Sequence, residues 1–198
     1  MSDTREDILE AATKLFLQKG YEGVSIKDIT EAVGMTKGAL YHHFPGKEEL
    51  FGEVIGREFQ AYRIAFERLP QATFQDFYQA VFQEMNRVFP TPAAVGRAKE
   101  SGMQLNHFRL IWDAMEVLEG FRIGVRKHFA YEHDAWSAVV RQAIASGELH
   151  SALEPQRVAD LFFSSSTGAW LRCLMRGNVE ISMSVLSQWD DLYALLKS

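Results

Sequence analysis

The sequence predicts an all-α protein, and three observations carry that reading. Apolar residues recur at helical spacing along most of the chain, no segment alternates β-branched residues as a half-buried strand would, and glycine or proline stands where the periodic runs stop. The 198 residues can bury a substantial core. With 47% hydrophobic and 24% charged residues the chain is too apolar for disorder. Two parts are expected: a small three-helix one over residues 1–48 and a larger helical one over residues 49–198.

Ile8, Leu9, Ala12, Leu15 and Phe16 make one face of a helix from about Thr4 to Lys19, which Gly20 ends. Ser25 followed by Asp28 has the form of a capping box, so a second helix starts there and turns Ile26, Ile29 and Val33 inward. Gly34 permits the left-handed backbone that a sharp turn between helices needs. Thr36 caps a third helix, which buries Leu40 and Phe44 and cannot pass Pro45. A fourth begins near Lys47 and carries Leu50, Phe51, Val54, Phe59, Tyr62, Phe66 and Leu69 as far as Pro70. Another spans Phe74 to Phe89, closed by Pro90-Thr91-Pro92 and followed by a weakly patterned stretch to Gly102. From Leu105 to about Ser146 the apolar positions read either as one long helix or as two abutting ones, with Gly120 and Gly124 as break points. Pro155 opens a helix to about Arg176, and Gly177-Asn178 leads into a last one from Ile181 to Leu196.

Several classes are disfavoured. The acidic opening does not resemble a secretory signal, no apolar run reaches the roughly 20 residues of a membrane span, and a cytosolic protein is expected. Cys173 is the sole cysteine, so neither an internal disulfide nor a cysteine zinc site is available. His128 and His133 fall about 140° apart on a helix, so the group His128, Glu132, His133 and Asp134 does not converge on a metal. No phosphate loop, Gly-x-Ser-x-Gly elbow or His-Glu-x-x-His occurs, and neither a cofactor nor catalysis has a candidate residue.

Residues 25 to 47 have the shape of two short helices joined by a glycine turn, the second sized for a DNA major groove. The net charge of -5 opposes this at first sight, because phosphate neutralisation supplies most non-specific affinity. Between Thr36 and Lys47, however, stand Lys37, Lys47 and two histidines with no acid, a small basic face that leaves recognition to a few contacts. Lys37 is placed to read guanine, Gly38 lets the backbone approach, and Ala39 can touch a thymine methyl. Thr36, Tyr41 and His42 suit phosphates, as do Ser25 and Lys27 on the other side of the groove. Lys47 at a helix N-terminus opposes the macrodipole, which suits a phosphate shared with the free amides. Plainer readings stand beside these: Tyr41 and His43 can pack the small core, and Ser25 can be only a cap.

Residues 8 to 55 closely resemble the DNA-binding segment of the TetR/AcrR family of bacterial repressors. The matching stretches are Ile8-Leu9-Glu10-Ala11-Ala12, Leu15-Phe16, Gly20 to Ile26, Ile29, Ala32 to Tyr41, His43-Phe44 and Lys47 to Leu50. Val33 departs from the family's usual alanine, and Gly46 from its polar cap. A weaker likeness follows over Gln142 to Leu149, Pro155, Val158-Ala159 and Gly168. The resemblance implies an N-terminal helix-turn-helix DNA-binding domain and a C-terminal helical ligand-binding and dimerisation domain. It further implies a homodimer on a palindromic operator, double-stranded DNA being the partner, released by a small-molecule effector. An activator would show the same features.

Phe162, Phe163, Trp170 and Leu174, with Val185, Trp189, Leu192 and Tyr193, exceed what a monomer core requires and are expected to form an intermolecular four-helix bundle. An effector cavity is expected among Phe66, Met103, His107, Phe108, Trp112, Met115, Phe121 and Tyr131, with Arg122 and His107 available to an anionic group. The same spacing also suits a plain core. The rival from another class is a helical protein-interaction module, and a steep salt dependence of binding would distinguish DNA from it.

Overall fold

The computed structural model describes residues 4–61, 63–88, 101–150, 152–176 and 181–197. Among these the helices are α1 Thr4–Lys19, α2 Ile26–Val33, α3 Lys37–His43, α4 Lys47–Ala61, α5 Phe74–Val88, α6 Ser101–Val117, α7 Phe121–Ala145, α8 Pro155–Arg176 and α9 Ile181–Leu196. A single 3-10 turn, Phe66–Arg68, and one isolated antiparallel bridge, Leu149 to Lys197, complete them. No helix among the described residues is long and apolar enough to cross a membrane. The chain divides into two compact units, Met1–Tyr62 with Gly102–Ile123, and Arg63–Ser101 with Gly124–Ser198.

One boundary differs from the sequence expectation, and one left open by the sequence is decided. The fourth helix stops at Ala61 rather than running to Pro70. The Phe66 amide donates to the Tyr131 hydroxyl at 3.2 Å, which takes it out of a helical ladder, and the Phe66 ring is buried in the second unit's core. The run from Leu105 to Ser146 resolves into α6 and α7, broken at Leu118 to Gly120, while Gly124 lies inside α7. The Arg122 Nε donates to the Met115 carbonyl at 2.8 Å, satisfying one acceptor that the end of α6 leaves open. The stretch over residues 89–100 lies outside the described residues.

The first unit is larger than the three helices of residues 1–48. Ile8, Leu9, Ala12 and Phe16 from α1 meet Ile29 from α2, Leu40 from α3 and Leu50, Phe51, Val54 and Ile55 from α4. Leu110 and Ala114 of α6 close the same core. Asp113 of α6 accepts the Tyr21 amide at 2.8 Å, tying α6 to the loop that precedes α2. The bidentate pair of Arg5 with Glu53, and Arg57 with Glu6 at 2.6 Å, join α1 to α4 at the surface.

The second unit packs α5, α8 and α9 around the later part of α7. Its centre is aromatic: Trp136 lies 5.1 Å from Phe77, 5.8 Å from Phe162 and 5.1 Å from Trp189 between ring centroids. Glu148 accepts the Phe74 amide at 2.8 Å and the Gln75 amide at 3.2 Å, so one carboxylate closes the positive end of α5. This core corrects an expectation. Phe162, Val185, Trp189 and Tyr193 were assigned to a contact between copies, but each is buried within its own chain, where the first and third hold α8 against α9. Phe163 and Leu192 are partly buried, and the Trp170 and Leu174 side chains lie outside the described residues.

Candidate nucleic-acid interface

Three local devices fix the helices that carry the candidate DNA contacts. At the start of α2, Ser25 Oγ accepts the Asp28 amide at 3.2 Å while the Asp28 carboxylate accepts the Ser25 amide at 2.8 Å, a closed capping box. The Ser25 hydroxyl and amide, with Lys19 at 3.3 Å, hold the Asp28 carboxyl down at about 2. At the turn, Gly34 adopts φ 75°, ψ 34°, and its amide donates to the Thr30 carbonyl. At the start of α3, Thr36 Oγ1 accepts the Ala39 amide at 3.2 Å.

Leu40, fully buried, and Phe44, 2% exposed, anchor α3 from below. That orientation leaves Thr36, Lys37, Gly38, Ala39, Tyr41 and His42 exposed on the outer side, with Ser25 and Lys27 exposed at the start of α2. Lys27 pairs with Glu31 at 3.6 Å, whereas Lys37 forms no ion pair among the described residues. His43 is partly buried, its ring 5.6 Å from that of His42. At seven residues α3 is about 10 Å long, and a major groove about 12 Å wide admits it.

Lys47 has an internal role that sequence reasoning missed. Its ammonium donates to the carbonyls of Tyr21 and Val24, both at 3.0 Å, and stands 3.9 Å from the Tyr21 ring centroid. Two of its three N–H donors are thereby occupied, which leaves one for a phosphate. In the loop Tyr21 to Val24 the Tyr21 carbonyl accepts the Val24 amide at 3.3 Å as well as the Lys47 ammonium, and the Val24 carbonyl takes the same ammonium.

The candidate effector residues fall in both units. His107, Phe108, Trp112, Met115, Phe121 and Arg122 belong to the first, Phe66 and Tyr131 to the second, and the Met103 side chain lies outside the described residues. Several carry structural contacts: His107 Nε2 lies 3.2 Å from Glu58, the Phe121 ring meets Phe59 edge-on at 5.5 Å, and Arg122 binds the end of α6. The Tyr131 hydroxyl bonds Glu67 and the Phe66 amide while Arg63 stands 5.2 Å from its ring.

A capped, two-turn helix held across a glycine turn, with Lys37 exposed on its outer side, has the form of a helix-turn-helix. Residues 8–54 match the family model of bacterial regulatory proteins, tetR family. Over that segment the chain is a match to the TetR/AcrR family of bacterial transcriptional regulators, and over most of its length it is similar to one of the family's repressors. It is 24% identical to the HTH-type transcriptional repressor DhaR of Mycobacterium sp. (strain GP1) over 89% of this chain and 85% of that one. Against the regulator LmrA of Bacillus subtilis (strain 168) identity is 50%, but over 27% of this chain and 29% of the relative. Among solved structures, a TetR transcription regulator from Haloarcula marismortui superposes with a TM-score of 0.71 at 16% identity, covering 100% of both chains. E. coli NemR in its reduced form gives 0.67 at 21% identity, covering 96% of this chain and 98% of that one. These structural likenesses establish the fold.

Proposed function

We infer that this regulator is a ligand-responsive repressor that binds a palindromic operator as a homodimer, with α3 of each copy in successive major grooves. The observation that carries the reading is the outer side of α3, rigidly anchored by Leu40 and Phe44 yet exposing Lys37, Gly38 and Ala39. Gly38 gives independent support. Gly38 is the second residue of α3, and a glycine in a helix costs up to about 0.5–1 kcal/mol relative to alanine. The fold has room for the missing methyl, whose nearest neighbour would be Thr36 Oγ1 at 4.0 Å. The demand for glycine therefore comes from outside the chain, as it does where a nucleic-acid backbone or base edge must come close. DhaR, whose match covers most of this chain, is a repressor.

The pairing surface moves from the buried residues to an exposed stripe. Leu161, Leu171 and Met175 are exposed and lie within about 80° of one another on α8, opposite the buried Phe162 and Ala169. Ser164 and Gly168 fall between them and allow a second helix to approach. Leu195 of α9 adds an exposed apolar side chain. A small-molecule effector in the helical unit would release the operator by binding the competent and incompetent conformers unequally.

Gel shifts with the DNA upstream of the protein's own coding region test the reading. Lys37→Ala is expected to lose fivefold to a hundredfold in affinity, about 1–3 kcal/mol, and wild-type binding to fall steeply with salt. Unchanged affinity in the variant, or binding indifferent to salt, would remove α3 as the reading element.

A further inference from the structure

The interior of the second unit contains polar groups that no described residue satisfies. On α7, Glu132 lies within about 20° of Val139 and Ala143 and about 40° from Trp136 around the helix axis, so it points along the buried face. Val139, Val140, Ala143 and Trp136 are at most 3% exposed and belong to the apolar core. Glu132 is partly buried on that face, and burial alone pushes its carboxyl up to about 7, with no basic group offsetting it. One turn further in, neither the Trp136 indole N–H nor Ser137 Oγ has a hydrogen-bond partner among the described residues. Trp189, in contact with the same ring, shows the ordinary arrangement: its N–H donates to the Phe162 carbonyl at 2.9 Å and to Ser165 Oγ at 3.1 Å.

The nearby bases do not neutralise Glu132. Burial first, and Arg63 after it, lower the pKa of His128, one turn before Glu132. His133 pairs with Asp160 at 3.1 Å, and the Arg63 guanidinium stands over the Tyr131 ring. A carboxylate and an indole donor, adjacent on one helix face with the indole surrounded by aromatic rings, have complementary deficits among the described residues: the first lacks a cation and the second an acceptor. A single apolar molecule with a positively charged nitrogen and one acceptor atom would meet both.

We propose that Glu132 and Trp136 form the effector contact of the second unit, and that the effector is an organic cation, an amine or quaternary ammonium on an aromatic or apolar body. The ammonium pairs with the Glu132 carboxylate, the Trp136 N–H donates to the acceptor, and the surrounding rings take up the apolar body. This rests on the ligand-responsive reading above and adds the chemical class and the contact residues.

The test uses the full-length protein and a set of methoxy-substituted arylalkylamines, 4-methoxybenzylamine through 4-(4-methoxyphenyl)butylamine with their trimethylammonium forms, so that every probe carries an acceptor oxygen, each beside its neutral N-acetyl analogue. Melting temperature, tryptophan fluorescence and operator release are read for wild type, Glu132→Gln and Glu132→Leu. The expected result is that amines raise the melting temperature and the acetamides do not, and that Glu132→Gln weakens amine binding tenfold or more. Without ligand, Glu132→Leu is expected to melt higher than wild type, because an unpaired carboxylate has left an apolar core. Equal binding of amines and acetamides, unchanged amine binding in Glu132→Gln, or a Leu variant that melts lower would overturn the proposal. If acetamides release the operator independently of Glu132, the cation site fails and the ligand response stands. If no compound of either class binds or releases DNA, and operator binding is insensitive to a broad metabolite extract, both fail.

Discussion

Single residues separate what serves the fold from what serves DNA. Gly38→Ala is expected to raise stability by about 0.5–1 kcal/mol, a gain of about 1–4 °C in Tm, and to weaken operator binding in the same preparation. Opposite movement of the two readouts is what a glycine kept for close approach requires; a variant with full operator affinity would place the reason elsewhere. Lys47→Met removes two charge-assisted hydrogen bonds to the Tyr21 and Val24 carbonyls, for an expected loss of about 1–3 kcal/mol in urea denaturation. A stability equal to wild type would mean that the lysine serves phosphate alone. Asp28 sets an acid limit. Its carboxyl titrates at about 2 when folded against an ordinary 3.8, so its contribution is present above about pH 4 and disappears as pH falls toward 2. In Asp28→Asn that part of the acid-unfolding curve should flatten. Lys37, Gly38 and Ala39 were legible as outward residues because the spacing of Leu40 and Phe44 fixes which side of a two-turn helix is buried. The inward bend of Lys47 was not, because its acceptors are backbone carbonyls more than 20 residues earlier.

At the scale of elements, the helix ends depend on contacts of very different range. The caps at Ser25 and Thr36 and the turn at Gly34 follow from residues at most a few positions apart, and the structure contains them as the sequence predicts. The end of α4 follows instead from Tyr131 accepting the Phe66 amide across 65 residues. Local periodicity continued through Phe66 and Leu69 and gave no sign of it. The start of α5 is another long-range element: Glu148, just after α7, caps Phe74 and Gln75 and also accepts the Tyr193 hydroxyl at 3.2 Å. Gly147 at φ 79° makes the turn that delivers it, and Leu149 is buried beside it. Glu148→Ala is therefore expected to cost about 1–3 kcal/mol, and calorimetry should show a Tm lower by about 2–10 °C. A loss below the scatter of surface mutations would show that water replaces the carboxylate.

For the whole molecule, the proposed two-fold pairing sets operator geometry: half-sites separated by about one helical turn, 34–36 Å, or a multiple of it. Leu171→Glu together with Leu161→Glu places charge on the exposed stripe of α8 and leaves the core untouched. Sedimentation should then report a monomer with native circular dichroism, and operator affinity should fall by more than tenfold because each head binds alone. A dimer that persists would move the interface off α8.

The sequence by itself determined the helical class, the caps and turn of the reading head, and the inward and outward sides of its short helices, because each follows from periodicity or from neighbours along the chain. Tertiary structure alone decided that α6 completes the head's core, that Phe162 and Trp189 are spent inside their own chain, and that burial on α7 raises the Glu132 carboxyl. An apolar stripe looks the same in a sequence whether it meets its own chain or another, and a carboxylate's solvation is set by residues that only folding brings around it.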